Sequence, residues 1–148
     1  MLEAGPDLPE DLKRVPADHA VLIDALGGYV AQHLDAGSDT WERQTKTLLN
    51  QLSTMEQTCV VVIEETGWGV VPPTAIGGLF RDRLGALAQR LDRQAVASWL
   101  VVQGRALDLR ASGFPVPCCF RRPRQPGASP WSNSRFPRTL DTAPEPVQ

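Results

Sequence analysis

The chain has 148 residues, a formal charge of -2 and 22% charged side chains, the size and composition of one soluble domain. That balance excludes a chain-wide basic footprint for nucleic acid or an anionic membrane, and no apolar run reaches the roughly 18–20 residues that cross a bilayer. Three cysteines, two of them adjacent, build no disulfide framework, and the opening residues form no basic-then-apolar leader; together these predict a reducing, cytoplasmic setting.

In chain order, the first predicted element is a short apolar run from Ala20 to Asp24, read as a strand buried on both faces and ending in a carboxylate. Gly27 and Gly28 follow, then Tyr29, Val30 and Leu34 at helical spacing. A clearer helix comes next: Asp39 or Thr40 can cap it, Glu42 stands three after Asp39, and Trp41, Leu48, Leu49, Leu52 and Met55 fall on one stripe. Cys59 to Ile63 is too short and too β-branched to prefer helix and predicts a second interior strand, with Cys59 an inert core thiol. Beyond a glycine- and proline-bearing loop, the spacing predicts a helix from about Thr74 to Gln94. Its inner face is Ile76, Leu79, Phe80, Leu84, Leu87 and Leu91, with Arg81, Asp82, Arg83 and Arg90 largely outside. Trp99 to Val102 predicts a third strand and Ala106 to Leu109 a short fourth. Helices of this length between strands are crossover connections, so the expected fold is α/β with a mostly parallel sheet.

The remainder differs in composition. Up to Arg110 there are 10 Lys+Arg against 15 Asp+Glu; from Ala111 onward there are 5 arginines, 2 acids and 8 of the 13 prolines. Few aliphatic residues and many prolines predict disorder there. The expected organisation is therefore a short arm over residues 1–7, a domain over 8–117 and a Pro/Arg-rich tail over 118–148. The tail is either a dispensable extension or a basic arm for an anionic partner.

Ligands of parallel sheets bind at the carboxyl ends of the strands. Asp24, the Glu64-Glu65 pair and the Gly67-Trp68-Gly69 loop all fall there. A carboxylate closing a buried hydrophobic strand has the form of a Walker-B acid, which holds Mg²⁺ against nucleotide phosphates; strands also end in Asp for solubility or as a cap. Adjacent Glu64 and Glu65 point to opposite sides, so at most one faces Asp24, and the plain alternative is that one caps loop amides while the other is solvated. Gly67, Trp68 and Gly69 begin like GxGxxG but lack the third glycine, which favours a turn carrying Trp68 over a dinucleotide fingerprint. No GxxxxGK[ST] segment occurs, the only lysines being Lys13 and Lys46. His19 and His33 have no partner at zinc-ligand spacing and read as structural, and Cys118-Cys119 is too isolated to be a metal or redox site.

Val-Leu-Ile-Asp-Ala-Leu (21–26), Glu-Glu-Thr-Gly-Trp-Gly-Val-Val-Pro (64–72), Phe-Arg-Asp-Arg-Leu-Gly (80–85), Ala-Gln-Arg-Leu (88–91) and Val-Val-Gln-Gly (101–104) occur in this order. The ordered set, spanning roughly Leu8 to Pro117, resembles the adenosylcobinamide kinase / adenosylcobinamide-phosphate guanylyltransferase family of cobalamin biosynthesis. The resemblance implies a P-loop, RecA-like fold, a homotrimer and a transferase. That enzyme phosphorylates adenosylcobinamide with ATP or GTP, then transfers GMP from GTP onto the phosphate through a guanylylated histidine. It implies Asp24 as the Walker-B-like acid for Mg²⁺. Glu65, Gly67, Gly69 and Pro72 correspond to the family's Asn-Glu-Val-Gly-x-Gly-Ile-Val-Pro loop, and Arg81 and Asp82 to its Phe-Arg-Asp segment.

Departures qualify that picture. The family's P-loop and its guanylylated histidine lie well before the Walker-B strand, and residues 1–19 hold neither. His19, directly before the strand, does not inherit the nucleotide-accepting role, and no catalytic residue is assigned. Gly78 and Ala88 stand where an arginine and an asparagine are common in the family. The expectation is an N-terminally truncated domain, either an enzyme completed from elsewhere or a non-catalytic interaction remnant of the fold.

Overall fold

The computed structural model describes residues 7–69 and 72–114. The chain divides into two units, Met1–Gly113 and Phe114–Gln148, and every element below belongs to the first. The expected tail, its basic-arm reading and Cys118-Cys119 lie outside the described residues, as do positions 1–6 of the N-terminal arm.

A helix absent from the sequence reading opens the chain: α1, Leu8–Lys13, starts where Asp7 accepts the Glu10 amide and Pro9 needs no donor partner. It buries Leu8 and Leu12. Strand β1 (Val21–Ile23) leads into α2 (Leu26–Gln32), then α3 (Ser38–Thr54), and returns as β2 (Cys59–Val61). The two strands pair in parallel, Val21 with Cys59, Leu22 with Val60 and Ile23 with Val61, and α2–α3 form the crossover between them. Helix α3 is capped by neither Asp39 nor Thr40. Its N-cap is Gly37, with no side-chain cap bond, and Asp39 lies in the first turn, where its charge suits the helix dipole.

Helix α4 (Ala75–Gln94) begins where the sequence placed it, Thr74 accepting the Gly77 amide at 3.2 Å. The core is built between helices: Leu26, Tyr29 and Val30 of α2, Leu48 and Leu49 of α3, and Leu84, Leu87 and Leu91 of α4 are buried together. Arg90 of α4 meets Glu42 of α3 at 2.9 Å on its rim. Two expectations for α4 are corrected. Ile76 and Leu79 are exposed, since the apolar residues that α4 buries in the core, Leu84, Leu87 and Leu91, all lie beyond its first two turns. Arg83 is buried, because it finds acceptors inside: it donates to the carbonyls of His33 at 2.6 Å, Leu34 at 3.3 Å and Ala36 at 2.5 Å, beneath the end of α2. Its guanidinium also lies 5.0 Å from the centre of the Trp41 ring, a cation–π distance.

The strands are buried on one face only, which corrects the two-sided expectation. Val21, Ile23, Val61 and Ile63 pack on the helices, whereas Leu22, Val60 and Val62 point the other way and are exposed. Alternation along a strand forces this once the helices gather on one side. Strand β3 (Trp99–Val102) is also not a third parallel strand. It pairs antiparallel with β4 (Arg105–Asp108) in a separate two-stranded sheet. The cause is the two-residue turn at Gln103 and Gly104, with φ of 50° and 74°; left-handed conformation at both positions makes a type I′ hairpin. The fourth strand thus begins at Arg105. Asp108 ends it by capping α5 (Leu109–Ser112) through the amides of Arg110 and Ala111.

Tyr29 gives the core an optical reporter, since it is the only tyrosine in the chain. Burial, helped by the Asp7 charge, pushes its phenol from about 10 up to about 12. The native state therefore holds the proton to higher pH than the unfolded chain. This stabilising contribution is complete below pH 10 and lost as pH rises towards 12. A native-state titration of phenolate absorbance is expected to show a midpoint near 12, falling to about 10 in denaturant.

Candidate functional site

Parallel pairing puts the residues after β1 and after β2 at one edge of the sheet. Asp24 follows Ile23 directly, and Val62 to Gly69 leave β2 beside it. The ladder continues past the strands: the Val62 amide donates to the Ile23 carbonyl at 2.8 Å, and the Leu26 amide to the Val62 carbonyl at 3.0 Å. The Asp24 side chain is exposed, with no hydrogen bond or ion pair among the described residues. The peptide between Asp24 and Ala25 is cis.

Both glutamates after β2 are exposed, yet both bind backbone amides: one caps the loop as expected, and the other is not the free partner that the sequence left open. Glu64 accepts the Gly27 amide at 2.9 Å. Glu65 accepts the Gly67 amide at 2.7 Å, closing the loop into a tight turn. A Cβ at position 67 would stand 2.8 Å from that carboxylate and would displace it from the amide. Position 69 has open space around it. Trp68, between them, is 68% exposed. Pro72 rests on the first turn of α4, where a Cβ at Gly77 would meet its ring at 2.8 Å.

Arg81 and Asp82 bind each other, through Nη2 at 2.8 Å and Nε at 3.1 Å to Oδ1. Neither bonds to Asp24 or to the Glu65–Gly67 turn among the described residues. His19 lies before β1, at the end of the strand away from Asp24, its Nδ1 2.8 Å from Asp18. His33 ends α2, its Nδ1 2.7 Å from the Tyr29 carbonyl and its ring 4.5 Å from the Tyr29 ring. Burial pushes the Cys59 thiol up, as suits a packing residue rather than a nucleophile. Two shallow hollows lie elsewhere, one between α1 and the end of α3 and one on the β3–β4 hairpin.

Among the described residues, no three His, Cys, Asp or Glu side chains converge as a metal cage. A lone exposed carboxylate still fits Mg²⁺ of the kind that travels with a nucleotide, which needs one or two protein carboxylates and takes its other ligands from phosphates and water. Asp24 is the residue that offers it.

The sequence reading missed Gly27 and Glu64 as a contact, and Arg83 as a buried anchor. The Gly27-Gly28 doublet was a visible signal, but only the fold shows which glycine is crowded.

The family model for cobinamide kinase / cobinamide phosphate guanyltransferase (CobU) matches residues 1–109. The chain belongs to this family. The match covers β1, the loop after β2, α4 and the hairpin, and it makes the chain a relative of transferases of cobalamin biosynthesis. No curated protein matches it. No helix among the described residues is long and apolar enough to cross a membrane.

Proposed function

We propose that this member of the CobU family binds a magnesium nucleotide, GTP or ATP, at the carboxyl edge of β1 and β2. There it serves the two family reactions: phosphorylation of adenosylcobinamide and transfer of GMP to adenosylcobinamide phosphate. The observation that supports this most is the exposed, unpaired Asp24 at the end of a parallel strand, beside a loop that matches the family's. When bound, Mg²⁺ supplies neutralisation of phosphate charge. Asp24 would hold it with a carboxylate that pairs with no cation among the described residues. The Glu65–Gly67 bond fixes the turn that carries Trp68, and Arg81 offers positive charge partly offset by Asp82.

A second reading, an interaction subunit of the same fold without chemistry, draws on the exposed apolar face of Leu22, Val60 and Val62. Titration of the full chain with GTP, with and without Mg²⁺, separates the two. Magnesium-dependent binding that weakens about tenfold or more in Asp24→Asn is the expected result, since a bound metal keeps few protein ligands. Incubation with Mg·GTP and adenosylcobinamide then reads phosphate and guanylyl transfer. Nucleotide binding indifferent to Mg²⁺ and to Asp24, or none, would favour the second reading.

A further inference from the structure

We propose that Glu64 is a positioning residue: by accepting the Gly27 amide it fixes the backbone that presents Asp24 at the carboxyl edge. The role assigned to Asp24 rests on the nucleotide reading above; the clasp itself rests on geometry alone. Helix α2 begins at Leu26 with Ala25 as N-cap, and Ala25 has no side chain to bind the first amides. An N-cap side chain ordinarily accepts from the second or third helical amide. Gly27 is the second, and its acceptor is instead Glu64, 37 residues away on the other strand's exit, at 2.9 Å. A negative carboxylate at this end also meets the positive pole of the helix.

The contact straddles Asp24. Upstream, the Val62 amide holds the Ile23 carbonyl; downstream, the Val62 carbonyl holds the Leu26 amide and Glu64 holds Gly27. Asp24 and Ala25 are thus spanned by bonds to one three-residue exit of β2, Val62 to Glu64. A side chain here would displace the clasp: a Cβ at position 27 would stand 2.6 and 2.7 Å from the two Glu64 oxygens and 2.8 Å from its carboxyl carbon, so the carboxylate would have to swing away. Gly27 and Glu64 are therefore a matched pair, and exposure of the Glu64 side chain means its removal opens no core cavity.

The test uses the full chain with Glu64→Gln, which keeps an acceptor oxygen, and Glu64→Ala, which does not. Exchange of the Gly27 amide is expected to quicken about tenfold in Glu64→Ala, the effect of losing a charge-assisted hydrogen bond, and to stay within about threefold of the parent in Glu64→Gln. Residual dipolar couplings of the Asp24 and Ala25 amides are expected to change in the alanine variant alone. Mn²⁺, as a probe for Mg²⁺, is expected to broaden the Asp24 signals at severalfold higher concentration in Glu64→Ala, with rescue by glutamine. Gly27→Ala is expected to destabilise the parent chain and to be tolerated in the Glu64→Ala background. Unchanged exchange and couplings in Glu64→Ala overturn the proposal. Changed exchange and couplings, in a parent that Mn²⁺ leaves unbroadened, support the clasp and overturn the metal role of Asp24.

Discussion

Replacing Arg83 with methionine is expected to lower the stability of the domain by about 3 kcal/mol, read as a fall in the urea midpoint at unchanged slope. The guanidinium is buried and has no acidic partner among the described residues; three backbone carbonyls, of His33, Leu34 and Ala36, serve it instead. These carbonyls belong to the end of α2 and the turn after it, where a helix leaves its last acceptors unpaired. A cation there also suits the negative end of the helix dipole. Each hydrogen bond from a charged donor contributes about 1.5–3 kcal/mol, and an orphaned buried acceptor costs about 1–3. The sum is reduced because methionine abolishes the cost of desolvating a guanidinium. Methionine keeps an unbranched apolar stem against Trp41, so the loss reports the hydrogen bonds and the cation–π contact rather than packing. Arg83→Lys is expected to recover only part of the loss, because an ammonium cannot spread over the ring and the carbonyls as a planar fork does. A methionine variant as stable as the parent would mean that the carbonyls are satisfied without Arg83.

Leu48→Ala is expected to cost about 3–4 kcal/mol, and Leu22→Ala less than about 1. Leu48 is 0% exposed between α2, α3 and α4, whereas Leu22 is 64% exposed on the bare face of β1. The first substitution removes buried methyl groups and leaves a cavity among helices that relax only partly. The second removes surface that water already reaches. Paired denaturation curves therefore test the one-sided burial of the sheet. Equal losses at both positions would show Leu22 to be covered in solution and would contradict the layer arrangement described here.

Much of the local structure was legible in the residues. The start of α4 near Thr74, its end at Gln94 and the strand from Trp99 to Val102 all stand as the pattern predicts, because helical periodicity and β-branched runs act within a few residues. The hairpin was less visible. Val-Val-Gln-Gly carried a turn signal at Gln103 and Gly104, but the expectation of crossover topology sent β3 into the parallel sheet. A local I′ turn decides strand direction over two residues, with no crossover involved.

The candidate site divides along the same line. Asp24 and the loop from Glu64 to Gly69 were placed at strand ends from sequence, and parallel pairing brings those ends to one edge. That one glutamate caps a loop amide was a reading the sequence offered, and Glu65 does so; that Glu64 binds an amide as well could not be read, since its partner lies 37 residues away. The order of elements from β1 to β4, the acid at the end of β1 and the family resemblance were determined by the sequence alone, through short-range periodicity and motif spacing, whereas the short helices α1 and α5 were not. Which face of β1 is covered, that Arg83 turns inward and that Glu64 reaches Gly27 were decided only by tertiary structure. Each depends on what the packing of distant segments leaves unsatisfied, and no window of neighbouring residues contains that information.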